Sequence, residues 1–584
     1  MNFSKQFIRK IIYIFAIAVL LIPLSFVGRP STRDKDNAIN DSGGVLASMR
    51  DEEDLSLSGL SQIDPAGETM KLASLGLRGL AVNILWMQAM DSKDKKKWDD
   101  MSATLNTLVK LQPNFVKVWE YQAHNIAYNV SVEFDDYEYR YQWVKNGVSF
   151  LTEGIPANRR DHRIVDSLGW FSGHKFGEAD ERVQFRRMFR FDEQFHNKMG
   201  EYVNVSNLTA VEHPDNWLLA HEWYKKSEDM VELGVDGDEV KLRRKEMIFY
   251  NNKPAQLRNL MLSLQAEQRI EKEYAQRTWG MAHEEWMDYG RRDLNEAIGG
   301  LKYNLEGLNQ SLEDMQRLRV ELDELVPGVR NRLRQEAIQK ATTLNILSPQ
   351  QNEVLKMSLD ELSDEQRQIV REAEAILFDQ NKRLEFEIAE QATRKDEDRA
   401  KNLANDIYSI MGRMRSSDRD RSVINYNHWK YRTMAERDGT AVSARQALFD
   451  ASELTRKSIL DNYDEVNPVT NERQSNLGAI QEYENSFTLW AEVLEKYPSL
   501  KDGPLAENII DELLDYESIR QTAGLVPYIR NHPLQDFIDF RISLGKNDGG
   551  LLSSVQVKQF LDRVESASVS SEMTPRPNID FQLD

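Results

Sequence analysis

The chain has 584 residues, too many for one hydrophobic core, since single cores stop growing at about 250–300 residues and longer chains divide. A formal net charge of −20, with 29% charged residues, argues against general binding to nucleic acid, which needs a surplus of Lys and Arg against phosphate. Cysteine is absent, which excludes disulfides, thiolate zinc sites, iron–sulfur clusters and cysteine nucleophiles.

At the N-terminus Lys5, Arg9 and Lys10 precede an uncharged run from Ile11 to Val27, which as a helix would span about 25 Å. A cleaved signal peptide is the rival reading, but only Ser25 and Gly28 are small after the run, and they do not form an A-x-A pattern. Residues 1–28 are therefore expected to be an uncleaved single-pass anchor, with the bulk of the chain outside the cytoplasm. Residues 29–65, with "RDKDNAINDSGG", lack periodicity and read as a flexible stalk. From Leu72 the apolar residues fall at helical spacing. A second helix opening near Lys95 runs through Trp98, Met101, Leu105 and Leu108 to a stop at Pro113.

This hairpin repeats. Leu85, Ala89, Met101, Leu105, Leu108 and Pro113 occupy positions 4, 8, 20, 24, 27 and 32 of a 34-residue unit, and Trp119, Ala123 and Ile126 continue at 4, 8 and 11. After about twelve extra residues containing "VEFDDYEY", Gly147, Leu151 and Gly154 reproduce the spacing of 20, 24 and 27. Val165, Leu168 and Gly169 then open a third unit at 4, 7 and 8, whose position 20 falls on Glu181. The pattern, over about residues 80–190, resembles the tetratricopeptide repeat, in which small residues at 8 and 20 let the two helices touch. With "LRGLAVNILWMQAM" and "NYNHWKYR", the whole is similar to an uncharacterised family of bacterial membrane-anchored proteins with tetratricopeptide-repeat-like (TPR-like) helices. That resemblance implies an inner-membrane location and no known activity.

Residues 212–290 stay helical, with a break expected at "FYNNKPAQ". Leu301, Leu305, Leu308, Leu312, Met315, Leu322 and Val326 then follow heptad steps, with Arg319 the polar intruder and Pro327-Gly328 the stop. A second long helix is expected after Ser348-Pro349, where Gln351 completes a capping box, or after Ser363, continuing through Ile369, Ile376, Leu384 and Ile388. The two would form an antiparallel coiled-coil-like arm. Globular pattern returns from about Ile424: "ARQALFDASEL" and "GAIQEYENSFTLWAEVLEKYP" make a hairpin ending at Pro498. The fold class expected is all-α: anchor, stalk, solenoid over 66–290, arm over 291–422, C-terminal helical domain over 423–565, and disordered tail over 566–584.

No P-loop, G-x-G-x-x-G, G-x-S-x-G or H-E-x-x-H occurs, so no catalytic residue, metal site or cofactor is assigned. The nearest approach to a metal set is His213, His221 and Glu222 with His283 and Glu284, which lacks an i, i+4 histidine pair. Arg182, Arg186, Arg187 and Arg190 share a helical face, a candidate anion-binding stripe that can also pair internally with Asp135, Asp136 and Glu138. In a tetratricopeptide unit, positions 2, 5, 9, 12 and 13 face the concave groove. By that count a partner-binding groove receives Asn83, Trp86 and Met90, then Lys117, Glu120, His124 and Tyr128, then Arg163, Asp166, Trp170 and His174. It is open unless the insertion over 130–142 folds across it, and His124 there would titrate near the ordinary imidazole pKa of about 6.5. The expected function is a non-enzymatic scaffold or assembly factor of the cell envelope that binds protein or peptide. The alternatives are a spacer self-associating through the arm, or a hydrolase with a site around His213–His283.

Overall fold

The computed structural model describes residues 78–234, 245–269, 271–295, 302–343, 346–355, 384–466, 473–525 and 532–547, with scattered positions in 13–52 and 357–373. The protein is predominantly helical, its strands being short antiparallel pairs between helices. Ahead of the main body, Thr32–Arg33 pairs with Ile39–Asp41, and helix α1 covers Val45–Glu52, so part of the expected stalk has regular structure. The membrane anchor is corrected: among the described residues no helix is long and apolar enough to cross a membrane. Ile11, Ile12, Ile14, Ala16, Ala18 and Leu24 of that run lie outside the described residues, as does the tail over 566–584.

Helix α2 (Arg78–Asp94) packs on α3 (Trp98–Leu111). The α3 stripe of Met101, Leu105 and Leu108 is fully buried, and Asp99 and Asp100 in its first turn oppose the positive end of the helix dipole. Helix α4 (Val116–His124) continues into a π turn, Asn125–Val130, and packs on α5 (Tyr137–Glu153). The contact is as close as the repeat pattern requires: a Cβ on Gly147 would lie 2.8 Å from Ala127 Cβ and 2.9 Å from the Ala123 carbonyl oxygen. Seven residues on, Gly154 leaves room for the indole of Trp119, whose Nε1 donates to the Pro113 carbonyl at 2.7 Å.

Helix α6 (His162–Trp170), N-capped by Asp161, also runs into a π turn, Phe171–Lys175. Its partner differs from the sequence count. Gly169 faces α9 (Asn216–Glu232), where an added Cβ would meet the Tyr224 ring at 2.9 Å, while Glu181 at the expected contact is instead an ion-pair partner of Arg140. The reason is an insertion: α7 (Arg182–Arg190), α8 (Glu193–Met199) and the pair Thr209–Ala210 with His213–Pro214 come between the two helices of this hairpin.

Helix α10 (Glu246–Ala266) runs through Pro254 without the expected break. Proline removes one backbone donor, but buried Phe249, Leu257, Leu260 and Met261 hold the helix between α9 and α11 (Lys272–Arg291), so packing overrides the local preference.

The arm starts later than the heptads predicted, at α12 (Leu308–Leu325). Leu305 lies instead in a cluster with Trp286, Tyr289 and Tyr426, and Leu301 lies outside the described residues. Beyond α13 (Val329–Thr343), the capping box at Ser348 and Gln351 forms as expected and opens the short α14 (Pro349–Val354). The partner of α12 is supplied by α15 (Leu384–Ala389) and above all α16 (Glu397–Val423), through Met315, Leu322, Ile388, Leu403 and Ile407. Ile376 lies outside the described residues. The polar intruder Arg319 donates Nε to Glu385 Oε1 at 2.8 Å, and Arg330 grips the same buried carboxylate at 3.0 and 2.6 Å.

Asn425, left-handed at φ 51°, turns the chain into α17 (Tyr426–Glu436), where Trp286 Nε1 donates to the Tyr426 carbonyl at 3.2 Å and bolts the arm to α11. Helices α18 (Gly439–Arg456) and α19 (Ala479–Lys496) form the expected C-terminal hairpin, with Ser486 Oγ donating to the Ala444 carbonyl at 2.8 Å. Helices α20 (Pro504–Thr522) and α21 (Gln535–Asn547) follow and are the last among the described residues.

Candidate functional site

Helices α4 and α6 lie side by side, joined where Ser167 Oγ donates to Glu120 Oε1 at 2.7 Å. Between them and the end of α2 is a cleft of about 540 Å³. Four of the sequence-predicted groove residues line it: Lys117, Glu120, His124 and Trp170. Glu120 is buried, and its second oxygen accepts from Lys117 Nζ at 3.0 Å.

Two of the lining rings, His124 and Trp170, belong to a ladder whose other rungs, Tyr128 and His174, were also expected in the groove but do not line the cleft. His124 stacks on Tyr128 at 4.4 Å and 6°, Tyr128 on Trp170 at 5.8 Å and 16°, and Trp170 on His174 at 4.8 Å and 17°. The Tyr128 hydroxyl and His174 Nδ1 are hydrogen-bonded at 2.9 Å. The ladder spans the two places where α4 and α6 widen into π turns, a backbone irregularity frequent at functional sites. Lys175 is buried with its ammonium 4.2 Å from the centre of the Tyr128 ring; among the described residues no carboxylate lies within ion-pair distance of it. Partial burial, with the ammonium groups of Lys175 and Lys93, shifts the His124 pKa down from the ordinary imidazole value that the sequence suggested.

The remaining expected residues divide. Met90 Sδ accepts from the Tyr121 hydroxyl at 3.8 Å, and the Trp86 ring tilts on Tyr121 at 5.5 Å, so both support the cleft from behind a ring that lines it. Asn83 is exposed on α2, Arg163 turns back to the Asp161 carboxylate at the N-terminus of α6, and Asp166 is buried; none of the three lines the cleft. Lys93, Tyr121, Asn129, Ser167 and Phe171 were missed. Lys93 was within reach of the same count, at position 12, whereas Tyr121 and Ser167 sit at position 6, outside the positions used. The insertion over 130–142 leaves the cleft open: Phe134 stacks on Trp143 at 5.8 Å, Glu133 accepts from Trp98 Nε1 at 3.0 Å, and Arg140 pairs with Glu181.

The other candidates do not converge. Arg186, 3% exposed, donates to Asp215 at 3.1 and 2.8 Å and to Glu267 at 2.5 Å, and Arg190 pairs with Glu267. Half of the arginine stripe is thus committed to internal carboxylates, though not to Asp135, Asp136 or Glu138. Arg182 and Arg187 are exposed. His213 meets Phe191 edge-on, His283 is hydrogen-bonded with Thr433 at 3.0 Å, and His221 Nε2 lies 2.9 Å from Glu285 Oε1. Among the described residues no three His, Asp or Glu side chains gather as metal ligands. Burial opposes a charge on His221, but the carboxylates of Glu285, hydrogen-bonded to it, and of Glu222, 3.9 Å away, outweigh it and hold the pKa up at about 9, so His221 and Glu285 are a buried ion pair at neutral pH. No family model matches the chain, and no curated protein sequence does.

Proposed function

We propose that α2 to α6 and α9 act as a short tetratricopeptide-like stack whose cleft binds an extended segment of a protein or peptide partner, and that the protein is a binding scaffold. The observation that carries this reading is an open cleft of about 540 Å³ lined by His124 and Trp170, two rungs of a ring ladder that Tyr128 and His174 complete behind them. Rigid aromatic faces with polar edges supply contact area at small entropy cost, the composition of binding hot spots. The flanking Lys93, Lys117 and Asn129 offer donors to the carbonyls of an extended backbone.

Full-length tagged protein should capture its partner from extracts of its own cells, with mass spectrometry identifying the partner and calorimetry measuring the affinity. Trp170→Ala is expected to cost about 2 kcal/mol of binding, roughly thirtyfold in Kd, with the melting temperature nearly unchanged. Undiminished affinity, or a large fall in melting temperature that affinity merely follows, would defeat the reading.

A further inference from the structure

A second cleft, of about 500 Å³, lies where α10, α11, α17, α18 and α20 meet. This is within the ordinary size of small-molecule sites, about 300–1,000 Å³. One side is apolar, formed by Leu448 and Phe449, and the Trp429 ring closes another part. The polar side is unbalanced. Arg432 lines the cleft while only 2% exposed, and the single fully buried carboxylate beside it, Glu436, is taken by Arg445, whose Nε and Nη2 donate at 2.9 and 2.6 Å. Arg432 Nε stands 3.5 Å from Glu436, beyond a well-formed hydrogen bond, and has no hydrogen-bond partner.

Behind Trp429 a third guanidinium, Arg258, is held at 4.1 Å from that ring and 4.3 Å from Trp286, with Nε and Nη1 unpartnered. Glu512, across the cleft, supplies only part of a counter-charge: burial and its neighbours Asp515 and Asp511 push its carboxyl up to about 7. Among the described residues, three guanidiniums thus stand against one fully buried carboxylate, and buried charge is costly unless paired.

We infer that this cleft is a binding site for a small organic carboxylate, whose anionic group meets Arg432 and whose apolar body lies on Trp429, Leu448 and Phe449. A planar carboxylate accepts two parallel N–H bonds from a guanidinium, and the apolar wall would be left uncovered by a bare inorganic anion. The site is separate from the α4–α6 cleft and does not depend on the function proposed for it.

Saturation-transfer NMR on the full-length protein, with benzoate, neutral benzamide and inorganic phosphate as probes, tests the assignment. Benzoate is expected to bind at about the millimolar level, as ligands of its size do, and benzamide at least about tenfold more weakly. Arg432→Gln should weaken benzoate at least about tenfold. Should that variant fold poorly, Asn508→Trp decides, because it fills the rim from an exposed position and touches none of the ion pairs. It should abolish the benzoate signal with melting unchanged. Equal binding of benzoate and benzamide, no benzoate signal, a signal that survives Asn508→Trp, or phosphate binding tighter than benzoate would each overturn the proposal.

Discussion

His221 shows how one side chain couples stability to pH. Its folded pKa of about 9 lies above the unfolded value of about 6.5, so the folded state holds a proton that the unfolded state releases between those pH values. The stabilisation is fully present below pH 6.5 and is lost as pH rises through 9, an effect on the order of 3 kcal/mol. Half-buried His428 and buried His532 work in the opposite sense. Burial first, then neighbouring arginines, hold both down at about 4, so their contribution is lost as pH falls from 6.5 toward 4. Chemical denaturation of His221→Gln should show a flatter stability profile between pH 6.5 and 9 than the parent protein. A profile as steep as the parent's would mean that another group carries the slope.

Close helix contact is the property that a hairpin most depends on, and two glycines separate it from helix propensity. At Gly147 a side chain would strike Ala127 Cβ and the Ala123 carbonyl, so Gly147→Val should cost about 2 kcal/mol or more. Gly280, mid-way along α11, has no atom within 4 Å of an added Cβ. Gly280→Ala should therefore stabilise by about 0.5–1 kcal/mol, because alanine restricts the unfolded chain and favours helix. Urea melts of the two variants read both signs directly. A stabilised Gly147→Val would show that α4 and α5 do not need their close approach.

At the scale of the whole molecule, a net charge of −20 opposes compactness, while the bonds that hold the arm to its base are partly buried ion pairs and hydrogen bonds such as Lys430 with Glu306 at 2.9 and 2.7 Å. Raising ionic strength from about 0.01 to 0.15 M shortens the screening length from about 30 to 8 Å, which weakens long-range repulsion more than contacts of 3 Å. The melting temperature should rise by a few degrees over that range; a fall would mean that exposed ion pairs outweigh the net charge. At this scale the sequence and the structure also part company. The helical class, the hairpin stops at Pro113 and Pro498, the capping box at Ser348 and the small residues of the α4–α5 contact were legible, since each rests on a few neighbouring residues and a 3.6-residue period. Lys117, Glu120, His124 and Trp170, grouped by the repeat count, line one cleft between α4 and α6. Pairing across long stretches of chain was not legible: α6 closes on α9 past an inserted segment, α12 on α16, and Pro254 stays helical because its neighbours hold it. Nor could local pattern reveal that Arg186 meets Asp215 and Glu267, or that Arg258 comes to lie between Trp286 and Trp429. Charge balance in such a site is a sum over residues far apart in the chain, which only three-dimensional packing brings within a few ångströms of one another.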